Sequence, residues 1–121
     1  MKNLEPLIHR QRLSIEAKYD RKVTRDDVSE FMLLLARELK MTLHPEAPKP
    51  IITSATGQSK EIHDGYEGAV FWVESGAQVY IWERVKFLTV DIYTCKSFDP
   101  LLAVQLTKDF FNTTEIVFKE N

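Results

Sequence analysis

GYEGAVFWVESGAQVYIWERVKFLTVDIYTC, residues 65–95, decides the fold of this chain. It divides into three β-rich runs: GAVFWVE (68–74), AQVYIWE (77–83) and KFLTVDIYTC (86–95). Each run is dense in β-branched and aromatic residues and free of proline. Ser75-Gly76, between the first two runs, reads as a two-residue hairpin turn. A turn there sets Val73 opposite Gln78, Phe71 opposite Tyr80 and Ala69 opposite Trp82. The other face of that hairpin carries Val70, Trp72, Val79 and Ile81. In the third run Leu88, Val90 and Ile92 share one face, and Thr89, Asp91, Tyr93 and Cys95 share the other. The more apolar face is expected to lie under helices. The mixed aromatic and polar face suits a ligand site or a second subunit.

Outward from this hairpin the pattern changes. Residues 11–19 (QRLSIEAKY) alternate polar and apolar around Leu13, Ile15 and Ala17, which predicts a half-buried strand. Thr24 can cap a helix, and Asp26 and Asp27 suit the positive end of its dipole. Val28, Phe31, Met32, Leu35 and Leu39 then recur at helical spacing, so a helix is expected from about 25 to 40. Pro45, Pro48 and Pro50 exclude a helix around them, while Gly57 and Gly65 mark turns. Ile51 to Ser54 is a short strand candidate. Asp99-Pro100 reads as a cap followed by proline at the first helical position. Leu101, Leu102, Val104, Leu106 and Phe110 fit a second helix to about residue 111, and residues 115–118 (EIVF) a last strand. This order predicts one α+β domain over residues 1–121. Its architecture is a two-layer α/β sandwich, a mostly antiparallel sheet with two helices on one face.

Composition narrows the function classes. A net charge of −2 gives no general electrostatic reason to bind nucleic acid. No apolar run approaches the roughly 20 residues that span a bilayer. MKNLEPLIHRQR at the start has no apolar core of a secretory signal, so a cytoplasmic protein is expected. The single cysteine cannot form an internal disulfide. His9, His44 and His63 are too dispersed to join it as metal ligands, so no metal is expected. Taken alone, Cys95 is most simply a small packed strand residue, and Tyr80 and Trp82 are core or interface aromatics.

The hairpin stretch resembles the small prokaryotic-type S-adenosylmethionine decarboxylases. The likeness runs without gaps from Gly65 to Cys95 and includes Gly68, Glu74, Ser75, Trp82, Val90-Asp91 and Thr94; Asp99-Pro100 extends it. It is weak over residues 1–64. The resemblance implies self-cleavage at Glu74-Ser75, with Ser75 converted to a pyruvoyl group. That ketone takes up a substrate amine and accepts the electrons left when CO₂ departs. By resemblance Cys95 returns the proton and Trp82 stacks on the substrate's adenine. A homodimer with sites near the subunit interface, and a role in polyamine (spermidine) biosynthesis, are implied as well.

Several family positions are changed. The processing histidine five residues after Ser75 is Tyr80, and a serine eight residues before the cut is Glu67. These two are the candidate processing substitutes. Gly76 stands for a histidine, Gln78 for a serine, and Arg84 for a glutamate that holds ribose hydroxyls, with Glu83 the nearest carboxylate. Two function classes follow. One is a pyruvoyl-dependent decarboxylase of S-adenosylmethionine, or of another amino acid such as arginine or ornithine. The other is an unprocessed, non-catalytic homologue acting as a ligand-binding or regulatory subunit.

Overall fold

A computed structural model describes residues 1–54 and 60–121. The expected turn at Gly57 lies outside the described residues. In chain order the elements are β1 (Gln11–Tyr19), α1 (Arg25–Glu38), β2 (Ile51–Ser54), α2 (Lys60–His63), β3 (Gly65–Trp72), β4 (Ser75–Trp82), β5 (Phe87–Thr94), α3 (Pro100–Phe111) and β6 (Thr113–Glu120). The strands form one six-stranded sheet in the order β2-β3-β4-β5-β1-β6, with every neighbouring pair antiparallel. The two long helices cover one face, giving the expected α+β sandwich. The short α2 sits in a stretch whose prolines and glycines carry no helical pattern. No helix among the described residues is long and apolar enough to cross a membrane.

Local chemistry explains the helices. Thr24 Oγ1 accepts from the Asp27 N–H at 3.2 Å, and Asp27 Oδ2 accepts from the Thr24 N–H at 2.8 Å, so α1 opens on a reciprocal capping box. Val28, Phe31, Met32, Leu35 and Ala36 then bury one stripe against the sheet. α1 lies so close to β3 that a Cβ added at Gly68 would come within 2.9 Å of the Met32 sulfur. Asp99 caps α3 through the Leu101 N–H at 3.0 Å, and Asn112 ends it in the left-handed region at φ 52°.

The buried stripe of α3 is Ala103, Val104, Thr107 and Phe111, rotated from the one that hydropathy suggested. Leu101 is 64% exposed, and Leu106 and Phe110 pack at the core's edge. Thr107 can occupy the core because its hydroxyl donates to the Ala103 carbonyl at 2.8 Å. Phe111 is fully buried, with its ring 4.6 Å from that of Phe31 and 6.3 Å from that of Tyr19. Truncating such a core aromatic costs about 3–5 kcal/mol.

The β3–β4 hairpin turns two residues earlier than the sequence suggested. The turn is Val73-Glu74, and the pairs are Trp72 with Ser75, Phe71 with Gly76 and Ala69 with Gln78. Each partner is thus four residues from the expected one. A slip by an even number keeps every side chain on its face, so the buried set Val70, Trp72, Val79 and Ile81 is the expected one. The first β4 residues explain the shift. Ser75 and Gly76 have φ of +142° and +158°, and a Cβ at Gly76 would come within 2.4 Å of the Val70 carbonyl oxygen. Only glycine lets the two strands close so tightly at that rung.

Candidate active site

Glu74 and Ser75 sit at the mouth of this hairpin, against the end of β5. The Glu74 carbonyl oxygen accepts the backbone N–H of Cys95 at 2.8 Å. Ser75 Oγ lies 3.7 Å from Cys95 Sγ, the one cysteine of the chain, and that thiol is exposed. A serine at φ +142° is strained, because the residue's Cβ clashes with its own backbone there, at a cost of about 1–3 kcal/mol. A strained peptide bond, a donor on its carbonyl oxygen and an adjacent hydroxyl thus meet at one point.

The Glu74 side chain turns back to the loop after α1. Its carboxylate accepts from the Thr42 N–H at 2.9 Å and from the Thr42 hydroxyl at 3.1 Å. Burial pushes this carboxyl up, but the N–H of Thr42, its own N–H, the Thr42 hydroxyl and the charge of Lys96 outweigh that. The carboxyl is held below the usual carboxylate range. Next to Cys95, Thr94 is fully buried and its hydroxyl is satisfied by the Lys96 backbone, donating to the carbonyl at 3.1 Å and accepting from the N–H at 2.9 Å.

Beside Ser75 the open face of the sheet carries a groove of about 340 Å³. Ala69 and Gly76 are small enough to form its floor, and Phe71, Arg12, Asp91 and Tyr93 help line it. The Arg12 guanidinium sits 4.6 Å from the centre of the Tyr93 ring, and Asp91 accepts from the Ser14 hydroxyl at 2.9 Å. These polar groups converge on the groove from β1 and β5, and the sequence reading did not single out Arg12 or Ser14. The alternation of β1 was the available signal, since it sets both on the face opposite Leu13 and Ile15.

The remaining candidates lie elsewhere. Glu67 and Tyr80 face each other across β3 and β4, and Glu67 accepts from the Thr53 hydroxyl at 3.5 Å. Tyr80 stacks on Trp82 with ring centres 6.0 Å apart, and Phe87 adds a tilted contact at 5.3 Å. The Trp82 indole N–H donates to His63 Nδ1 at 2.9 Å. Tyr80 and Trp82 are five and seven residues along β4 from Ser75, about 17 and 24 Å at the rise of a strand. Within one chain both therefore stand well apart from Ser75.

Glu83 is committed to a different task. Its carboxylate accepts from the Tyr19 hydroxyl, from the Val23 N–H at 3.0 Å and from Lys86 Nζ at 2.8 Å. Burial raises its carboxyl, but the bonds from Lys86, Tyr19 and Val23 prevail and lower it. Burial, then the hydrogen bond to Glu83 and its charge, push the Tyr19 phenol far above its ordinary value. The network ties β1 and the loop before α1 to the turn after β4. Its position, next to Trp82 in sequence but on the other side of the strand, follows from strand alternation.

Comparison with known proteins agrees with this architecture. The family model for S-adenosylmethionine decarboxylase matches residues 18–121. Among solved structures, the chain is similar to the adenosylmethionine decarboxylase from Aquifex aeolicus VF5, with a TM-score of 0.70. That match has 17% sequence identity and covers 94% of this chain and 89% of the other, a likeness that shows the fold. No curated protein sequence matches the chain. With most of its length matched by the family model and its sheet and helices arranged in the family's fold, the chain belongs to the S-adenosylmethionine decarboxylase family.

Proposed function

We propose that the protein is a pyruvoyl-dependent decarboxylase that cuts itself between Glu74 and Ser75 and acts on S-adenosylmethionine. The carrying observation is the Glu74 carbonyl oxygen held by the Cys95 N–H at 2.8 Å, beside a serine strained to φ +142°. Negative charge that develops on that oxygen meets a donor already in place, which lowers the barrier to attack on the carbonyl carbon. Within one chain this arrangement does not draw on Tyr80 or Glu67. Its donor is a backbone group, and Tyr80 and Glu67 lie far along the sheet.

Ser75 Oγ attacks the Glu74 carbonyl carbon. The carbon–nitrogen bond breaks, the proton moves from oxygen to nitrogen, and an ester joins the two halves. Loss of the Ser75 Cα proton to a base then expels the Glu74 carboxylate and breaks the Cβ–O bond. Cys95 Sγ, 3.7 Å from Ser75 Oγ, is the nearest candidate for that base. The dehydrated residue takes up water and loses ammonia, leaving a ketone at the new N-terminus. This pyruvoyl group supplies an electron sink for decarboxylation. The groove beside Ser75 receives the substrate, and the Cys95 thiol is placed to return a proton to the carbon that loses CO₂. Glu83 is left out of this scheme, because its carboxylate is occupied on the far side of the strand.

The separation of Ser75 from Trp82 supports a homodimer. Trp82 of a second copy would bring its ring to an adenosine-bearing substrate bonded at Ser75. Exposed Phe71, Val73, Tyr93 and Val117 also leave apolar surface for such a copy to cover. In that assembly Tyr80 and Glu67 would reach the cleavage site across the interface. The decarboxylated product would serve polyamine (spermidine) synthesis in the cytoplasm. Carboxyl-labelled S-adenosylmethionine tests the assignment. Labelled CO₂ should be released, and a carbonyl-trapping reagent such as phenylhydrazine should stop it. A cleaved protein that releases no CO₂ from this substrate would refute the substrate assignment.

A further inference from the structure

We infer that Thr42 is a positioning residue for self-cleavage, clamping Val73 and Glu74 so that the Ser75 peptide stays in its strained, reactive geometry. This rests on the cleavage reading above and assigns part of it to a loop distant in sequence.

Strained backbone persists only where its surroundings over-determine it. On one side, Ser75 is locked into the sheet, paired with Trp72 in β3 and Thr94 in β5. On the other side the sheet offers nothing, because β3 ends at Trp72 and the turn residues Val73 and Glu74 have no β4 partner. Thr42 supplies what is missing. Its carbonyl accepts the Val73 N–H at 2.8 Å, while its N–H and hydroxyl reach the two Glu74 carboxylate oxygens at 2.9 and 3.1 Å. Leu43 bridges to Trp72, and the His44 N–H donates to the Phe71 carbonyl at 3.0 Å, so residues 42–44 run alongside the end of β3.

The clamp is itself anchored. The Met41 N–H donates to the Ala36 carbonyl of α1 at 2.8 Å, the Met41 side chain is buried, and Lys96 Nζ donates to the Lys40 carbonyl at 2.6 Å. Glu74 is therefore gripped by Thr42 through its side chain and by Cys95 through its carbonyl oxygen. Rotation about the bonds flanking the cleavable peptide, which would relieve the strain, is blocked on both sides. After the cut the same contacts keep the new carboxyl terminus at Glu74 docked, so fragments 1–74 and 75–121 stay together.

The test is a time course of intact mass after cell-free synthesis. Thr42→Val, which keeps the side-chain shape but loses the hydroxyl, should cut about tenfold more slowly than the unsubstituted chain, the loss expected for one charge-assisted hydrogen bond. Thr42→Ser should restore the rate. Glu74→Ala should also slow cutting, and the double variant should be little slower than the slower single one, because both remove the same contact. A merely structural role would lower the melting temperature of Thr42→Val without changing its rate well below melting. An unsubstituted chain that stays whole defeats the cleavage reading and the clamp together. An unsubstituted chain that cuts while Thr42→Val cuts equally fast, or losses that simply add, defeats the clamp alone.

Discussion

The two ends of β4 are built for different work. At its start, the Glu74-Ser75 bond is held largely by backbone: the Glu74 carbonyl on the Cys95 N–H, the Val73 N–H on the Thr42 carbonyl and a strained φ, with the Glu74 side chain gripped by Thr42 as well. At its far end, Trp82 is held by side chains: Tyr80 stacked on it, Phe87 against it, His63 on its indole nitrogen and Glu83 behind the strand in an ionic knot. Backbone donors survive substitution, whereas side-chain sets do not. The family positions that changed in this chain fall at both ends: Gly76 and Gln78 near Ser75, and Tyr80, Glu67 and Arg84 toward the far end. The contacts around the Glu74-Ser75 bond draw on the backbone, while the far end of β4 is defined by its side chains.

Substitutions at the two ends should separate cleanly. Ser75→Ala has the largest expected effect: no cutting at all, seen as a single species near 14.1 kDa. Cys95→Ala keeps the backbone N–H on the Glu74 carbonyl, so the ester should still form, but the elimination that completes the cut should slow with loss of the nearest base. Its decarboxylation rate should fall about 100-fold with loss of a positioned proton donor. Equal activity in that variant would remove Cys95 from the chemistry.

Glu83→Ala comes next and should leave cutting intact while lowering stability by about 2 kcal/mol, because Tyr19, Val23 and Lys86 lose their shared acceptor. The pH dependence follows from the lowered carboxyl of Glu83. The folded state binds that proton less readily than the unfolded chain. The contribution is therefore present above the ordinary carboxylate range and lost as pH falls through the folded value. Melting curves of the two chains should converge in acid; a gap that persists there contradicts the network's role. Trp82→Ala is the smallest, raising KM about tenfold with no change in cutting, as loss of one stacking face predicts. Faster or slower cutting in that variant would tie the two ends together.

The fold was largely legible in the chain, and the reasons are local. β1 spans residues 11–19 as its alternation predicts, and α1 and α3 start at their caps. Two features were misread because tertiary contacts decide them. Thr107 enters the core by bonding within its own helix, which rotates the buried face of α3. The hairpin turn falls on Val73-Glu74 because Gly76 lets the strands close earlier. Glu74, Ser75 and Cys95 were legible as a set through spacing and family likeness, and the structure brings them together. Thr42 was not, since a threonine 32 residues before Glu74 carries no local pattern that marks a clamp. Trp82 and Glu83 are adjacent in sequence yet lie on opposite faces of the chain, and both are far from Ser75.

Intact-mass measurement of the purified protein tests the central claim most directly. The account predicts two fragments, residues 1–74 ending in an ordinary carboxylate and residues 75–121 beginning with a carbonyl that reacts with phenylhydrazine. A single uncut chain near 14.1 kDa that survives prolonged incubation would contradict it.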